Sequence, residues 1–127
     1  MTMRPLSPHL QIYGPTRTMV LSILHRLTGV ALSVSILALV AWLVALAWNE
    51  TAYAHVLALL RSPLGMVVLC LLLSTFAYHL CAGIRHLVFD SGRALERREA
   101  RQSALILITS ACVLAVLGVL WMLKAHS

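Results

Sequence analysis

Acidic residues are nearly missing from this chain of 127 residues: Glu50, Asp90, Glu96 and Glu99 are the only four, and charged side chains of both signs make up 11%. So sparse a charge cannot hold 61% hydrophobic residues in water, which excludes an ordinary soluble domain. A mean hydropathy of +0.91 equally excludes a disordered chain, which needs low hydrophobicity and high net charge. The N-terminal segment MTMRPLSPHLQIYGPTRTM lacks an apolar core and carries three of the four prolines, so it does not read as a cleavable signal peptide. Cysteine is scarce too. Cys70, Cys81 and Cys112 lie in apolar runs without CxxC or Cys/His zinc spacing, so they read as small packing residues and define no redox compartment.

Long apolar runs are what the chain does have. Three spans of about 20 residues use roughly half of it, and no nucleotide-binding, flavin-binding or hydrolase domain fits in the remainder. The expected architecture is all-α: a single integral membrane domain over residues 1–127, with three transmembrane helices at about 28–48, 64–85 and 103–123. Thr16 is placed to cap the first helix, which then runs for about 30 residues and begins before the membrane. The interval NETAYAHVLALLRSP reads as a polar connection, Pro63 suits the first turn of the second span, and Ser91-Gly92 reads as a turn before the third.

The formal charge of +6 comes from nine Arg and one Lys. In a soluble protein this would suggest nucleic acid; in a membrane chain it reports topology, and no nucleic-acid partner is expected. Arg4, Arg17, Arg26, Arg85, Arg93, Arg97, Arg98 and Arg101 flank one side, against Arg61 and Lys124 on the other. Eight against two places the N-terminus inside and the C-terminus outside. Trp48 and Trp121 then both fall near the outer interface, as an aromatic belt requires.

Ionisable groups at membrane depth cost at least a few kcal/mol each and are functional candidates by default. In the second span Thr75, His79, Gly83, His86 and Asp90 share one stripe along a single helix face. In the first, Ser22, Arg26, Gly29 and Ser33 follow one face, with His25 beside them, in the same leaflet as His86, Arg85 and Asp90. Spacing alone serves two readings equally: a polar seam between helices, with Gly83 allowing close approach, or a cofactor face. Individually, Ser22 suits a bond to its own helix backbone, Arg26 suits snorkelling to phosphate, and His25 suits an interfacial polar residue.

A deep histidine followed by glycine one turn on is a candidate b-type haem ligand, because neutral imidazole binds iron and glycine leaves room for a porphyrin. Two axial ligands must stand on opposite faces of the iron, each bond being about 2 Å. His79 and His86 lie about 10 Å apart along one helix face, so the second ligand has to come from another helix or another chain. His25 is an intrachain candidate, although its height in the membrane suits a haem propionate better.

Three motifs in order resemble one family. RPLSPHLQIY at residues 4–13, SILHRLTG at 22–29 and HLCAGIRHLVFD at 79–90 resemble the cytochrome b-type membrane anchor of succinate dehydrogenase, the larger of the two anchor subunits of complex II. They cover about 30 residues, and the three-span layout covers the rest. The resemblance implies that His79 is an axial ligand of haem b, its opposite number coming from the smaller anchor subunit. It implies that Ser22 and Arg26 belong to a ubiquinone site and that His25 and Arg26 lie near a haem propionate. His86 and Asp90 are assigned to the haem edge or to proton supply, and Arg85 to a propionate or to the iron–sulfur subunit. His9 is expected to contact the soluble subunits, while His55 and His126 are read as solvated.

The chemistry suits these residue types. Quinone reduction takes two electrons and two protons, so a site needs donors at the carbonyl oxygens, positive charge for the anion that develops, and a route to water. Ser22 can donate and Arg26 supplies charge; His25 or Asp90 can relay protons. Electrons must arrive from a partner iron–sulfur subunit and flavoprotein subunit, which the Arg-rich second loop would face. The chain is thus expected to be an enzyme subunit without a complete active site of its own, in a bacterial cytoplasmic membrane or alternatively the mitochondrial inner membrane. The competing readings are the anchor of a menaquinol:fumarate reductase, a haem-free membrane scaffold, and a small transporter or proton channel.

Overall fold

The computed structural model describes residues 16–126, so the N-terminal motif at 4–13, with Arg4 and His9, lies outside the described residues. Four helices follow one another: α1, Arg17–Trp48; α2, Glu50–Arg61; α3, Pro63–Asp90; and α4, Arg97–His126. α1, α3 and α4 are long and apolar enough to cross a membrane, and the three expected spans fall within them. No strand occurs among the described residues.

The helix ends are written in the sequence. Thr16 caps α1 by accepting from the Met19 amide at 3.3 Å, satisfying one of the four amides that a helix start leaves unpaired. Ser62 caps α3 by accepting from the Gly65 amide, and Pro63 occupies its first turn, where proline has no intrahelical bond to lose. The α3–α4 turn uses Gly92 at φ 78°, in the left-handed region open to glycine.

α2 departs from the expected polar connection. Asn49 ends α1 and caps α2, accepting from the Ala52 amide at 2.8 Å. Tyr53, Val56, Leu57 and Leu60 recur at helical spacing and, with Ala52, are its half-buried side chains, so a twelve-residue amphipathic helix forms between two spans. His55 stays exposed on its far face. Return into α3 is tight: a Cβ on buried Gly65 would meet the backbone of Leu59 and Leu60, coming within 2.8 Å of the Leu60 carbonyl oxygen.

The core is built from small side chains. Leu21, Ala82, Ala104 and Leu107 are buried together, with Tyr78 and Cys81 packed against them, bringing α3 against α4 and the start of α1 against both. Small residues let helix backbones approach closely where no water drives them together. Cys81 fits the packing reading; Cys112 is exposed. Most large apolar side chains point outward, Leu37 of α1 at 71% exposure among them, and none of α1's most apolar stretch is buried within the chain. That helix therefore offers an open face to lipid or to another subunit.

Candidate functional site

Near its N-terminal end α1 rests on α3 through polar contacts. The Tyr78 hydroxyl donates to the Leu21 carbonyl at 2.8 Å. One turn further along α1, three histidines converge. The His25 ring stacks on His79, with centroids 4.2 Å apart and planes 20° from parallel. It also meets His86 at 4.9 Å with a 38° tilt. One ring of α1 thus bridges two histidines that stand two turns apart on α3. Phe89 closes the far side, edge-on to His86 at 6.5 Å.

His79 is held from one face of α1, by residues at i, i+3 and i+4. His25 covers a face of its ring, Thr28 Oγ1 lies 3.1 Å from its Nδ1, and Gly29 lies against its edge. A Cβ on Gly29 would come within 3.1 Å of His79 Cε1, tight enough to displace the ring. Gly83, expected to leave room beside His79, instead faces His25, where a Cβ would make only an ordinary 3.8 Å contact. His25 Nε2 is buried and has no hydrogen-bond partner among the described residues, a costly condition for a polar atom.

Beside this cluster an open groove of about 620 Å³ runs between α1 and α3, with Arg26, Gly29, Ser33 and Leu37 on one wall and His79 on the other. Arg26 is exposed at the groove. Ser22, one turn before it, is half-buried, and its hydroxyl makes no hydrogen bond among the described residues. Asp90 is exposed at the end of α3 and joins no contact with the histidines. Of the six residues expected to form the site, the fold brings His25, His79 and His86 into ring contact, sets Arg26 at the adjoining groove, and leaves Ser22 and Asp90 at its margins.

Arg85, which the resemblance assigns to a propionate or to the iron–sulfur subunit, is engaged within the chain. It is 6% exposed and turned toward α4, donating from Nε to Ser103 Oγ at 3.0 Å and from Nη2 to the Ala100 carbonyl at 3.3 Å. Its guanidinium lies 4.3 Å above the Phe89 ring. The cause is helical geometry: six residues beyond His79, Arg85 sits about 120° away from the histidine stripe. Thr28, Tyr78 and Ser103 had no separate role in the sequence reading. A hydroxyl one turn from a histidine is a weak signal by itself, and only the approach of α1 to α3 gives it a partner.

The profile of the family described as succinate dehydrogenase/fumarate reductase transmembrane subunit matches residues 2–123. The chain belongs to this family. It is 43% identical over 114 residues to the succinate dehydrogenase cytochrome b556 subunit of Paracoccus denitrificans, covering 90% of this chain and 88% of that one. Its identity to the subunit of the same name from Rickettsia bellii is 45% over 91 residues, 70% of this chain and 69% of the relative. A cytochrome b560 subunit from Reclinomonas americana is 40% identical over 98 residues, 73% and 68% of the two chains. The family agrees with the resemblance carried by the motifs at residues 22–29 and 79–90, and this cytochrome b-type anchor of succinate dehydrogenase is an integral membrane protein.

Proposed function

We propose that this anchor holds a b-type haem jointly with a second small membrane subunit and forms part of the site at which succinate:quinone oxidoreductase reduces ubiquinone. The observation that supports this most directly is the setting of His79, wedged between His25, Thr28 and Gly29 at the wall of an open groove. Nδ1 is engaged there, and Nε2 carries no hydrogen bond among the described residues, as an iron ligand requires. The groove between α1 and α3 is open on its outer side, where a second subunit would close it. The exposed face of α1 suits a second anchor subunit that would supply the opposing histidine. The residues fit the group: one imidazole, a close glycine, and cationic and imidazole donors for propionates.

When bound, a b-type haem supplies a one-electron redox centre next to the quinone. The chain's own residues do the rest. His79 Nε2 would bind the haem iron. Arg26 places a permanent positive charge at the groove, where it attracts a propionate and stabilises negative charge developing on a quinone oxygen. Ser22, one turn away, has a hydroxyl free to donate to a quinone carbonyl. His25, with a buried Nε2 that has no hydrogen-bond partner among the described residues, either donates to a propionate or passes protons inward from His86. Exposed Arg93, Arg97, Arg98 and Arg101 at one end of the bundle make a docking face for an iron–sulfur subunit, with the flavoprotein beyond it, on the inner side of a bacterial cytoplasmic membrane.

The test separates quinone chemistry from assembly. In the purified complex, Ser22→Ala and Arg26→Leu should each depress succinate-driven quinone reduction by about tenfold or more, the scale of losing a donor at a developing charge. Succinate oxidation by an artificial acceptor should stay intact. Equal loss of both activities would show failed assembly and overturn the assignment of these two residues.

A further inference from the structure

Thr28 stands at the point where α1 meets His79, and its hydroxyl has one proton to give. Oγ1 lies 2.9 Å from the Leu24 carbonyl and 2.9 Å from the His25 carbonyl, the usual back-bonding of a helical threonine. With its proton committed to these carbonyls, Oγ1 presents lone pairs to His79 Nδ1 at 3.1 Å. A lone pair facing a ring nitrogen requires that nitrogen to carry the hydrogen. Nδ1 is then the donor, and Nε2 keeps the lone pair that binds a metal.

We propose that Thr28 is the positioning residue of the haem ligand: it accepts from His79 Nδ1–H, fixes the tautomer in which Nε2 is free, and with Gly29 sets the angle of the ring. This rests on the reading of His79 as an axial ligand. Metal-binding histidines commonly give their second N–H to a carboxylate, carbonyl or water, which orients the ring and raises its basicity. Here the acceptor is a hydroxyl of a neighbouring helix, so the ligand's orientation is tied to the docking of α1 on α3. Gly29 makes that docking possible, since a Cβ there would press on Cε1 at 3.1 Å. His25 stacking at 4.2 Å holds the ring's plane, and Thr28 holds its edge.

Thr28→Val keeps the shape of the side chain and removes the acceptor; Thr28→Ser keeps the acceptor and removes the methyl. Both are made in the intact complex, with succinate oxidation by an artificial acceptor reporting assembly. The readouts are the haem midpoint potential, the low-temperature electron paramagnetic resonance of the ferric haem, and haem transfer to an excess of apo-acceptor protein. Thr28→Val should raise the potential, because a ligand without its acceptor donates less to iron. It should also shift the g-values as the ring turns, and weaken haem retention by about tenfold. Thr28→Ser should restore all three. A Val variant matching wild type, or a Ser variant matching Val, would overturn the inference. His79→Ala is run in parallel: haem retained there with its spectrum unchanged would refute ligation by His79 itself, a different failure from the first two.

Discussion

Replacing Arg85 by leucine should loosen the bundle while leaving the redox centre unaltered. Two hydrogen bonds and a ring contact are lost, to Ser103 Oγ, the Ala100 carbonyl and the Phe89 face. Interhelical hydrogen bonds within membranes are worth about 0.6–2 kcal/mol each, and a cation over a ring about 1 kcal/mol. The acceptor on α4 is not left bare, because Ser103 Oγ already donates to the Ala100 carbonyl at 3.0 Å. Leucine fills much of the vacated space, so the net loss is about 2–3 kcal/mol, or roughly 30- to 150-fold in the folded ratio. Arg85→Lys should not rescue, since an ammonium lacks the planar fork whose two nitrogens reach Ser103 and Ala100 separately, and cannot lie flat on a ring. Heating the purified complex in detergent and following its elution by size-exclusion chromatography measures the loss. A leucine variant as stable as wild type but with a changed haem potential would refute the reasoning and return Arg85 to the haem edge.

Two further outcomes are expected from the packing. Tyr78→Phe removes the donor to the Leu21 carbonyl and should cost about 1 kcal/mol of stability, with α1 more open to protease or hydrogen exchange than α3 and α4. Gly65→Ala forces a Cβ into the backbone of Leu59 and Leu60; it should lower the yield of assembled complex sharply, whereas Gly92→Ala, with nothing within 4 Å of its Cβ position, should cost only the strain of a positive φ, about 1 kcal/mol.

Much of the fold was legible because lipid imposes long charge-free runs, and those cannot be mistaken for strands. Thr16, Pro63 and Ser91-Gly92 each end or begin a helix where their chemistry says they should. α2 was not read because Asn49, Glu50 and Arg61 make that interval too polar to span; its own spacing of Tyr53, Val56, Leu57 and Leu60 carried the helical signal. At the site, the stripe of His79 and His86 follows from helical geometry alone. The contact of both with His25 depends on how α1 leans on α3, and no one-dimensional pattern contains that angle. Arg85 shows the reverse: its charge drew it into the site, while its position 120° off the stripe already pointed to α4.

The claim on which the account turns is that His79 supplies one axial ligand of a haem completed by a second subunit. The measurement is a dithionite-reduced minus oxidised absorption spectrum of the complex purified with His79→Ala, beside wild type at equal subunit content. The account predicts that the b-type bands disappear or give way to a high-spin spectrum while the subunits still co-purify. An unchanged six-coordinate b-type spectrum would contradict it.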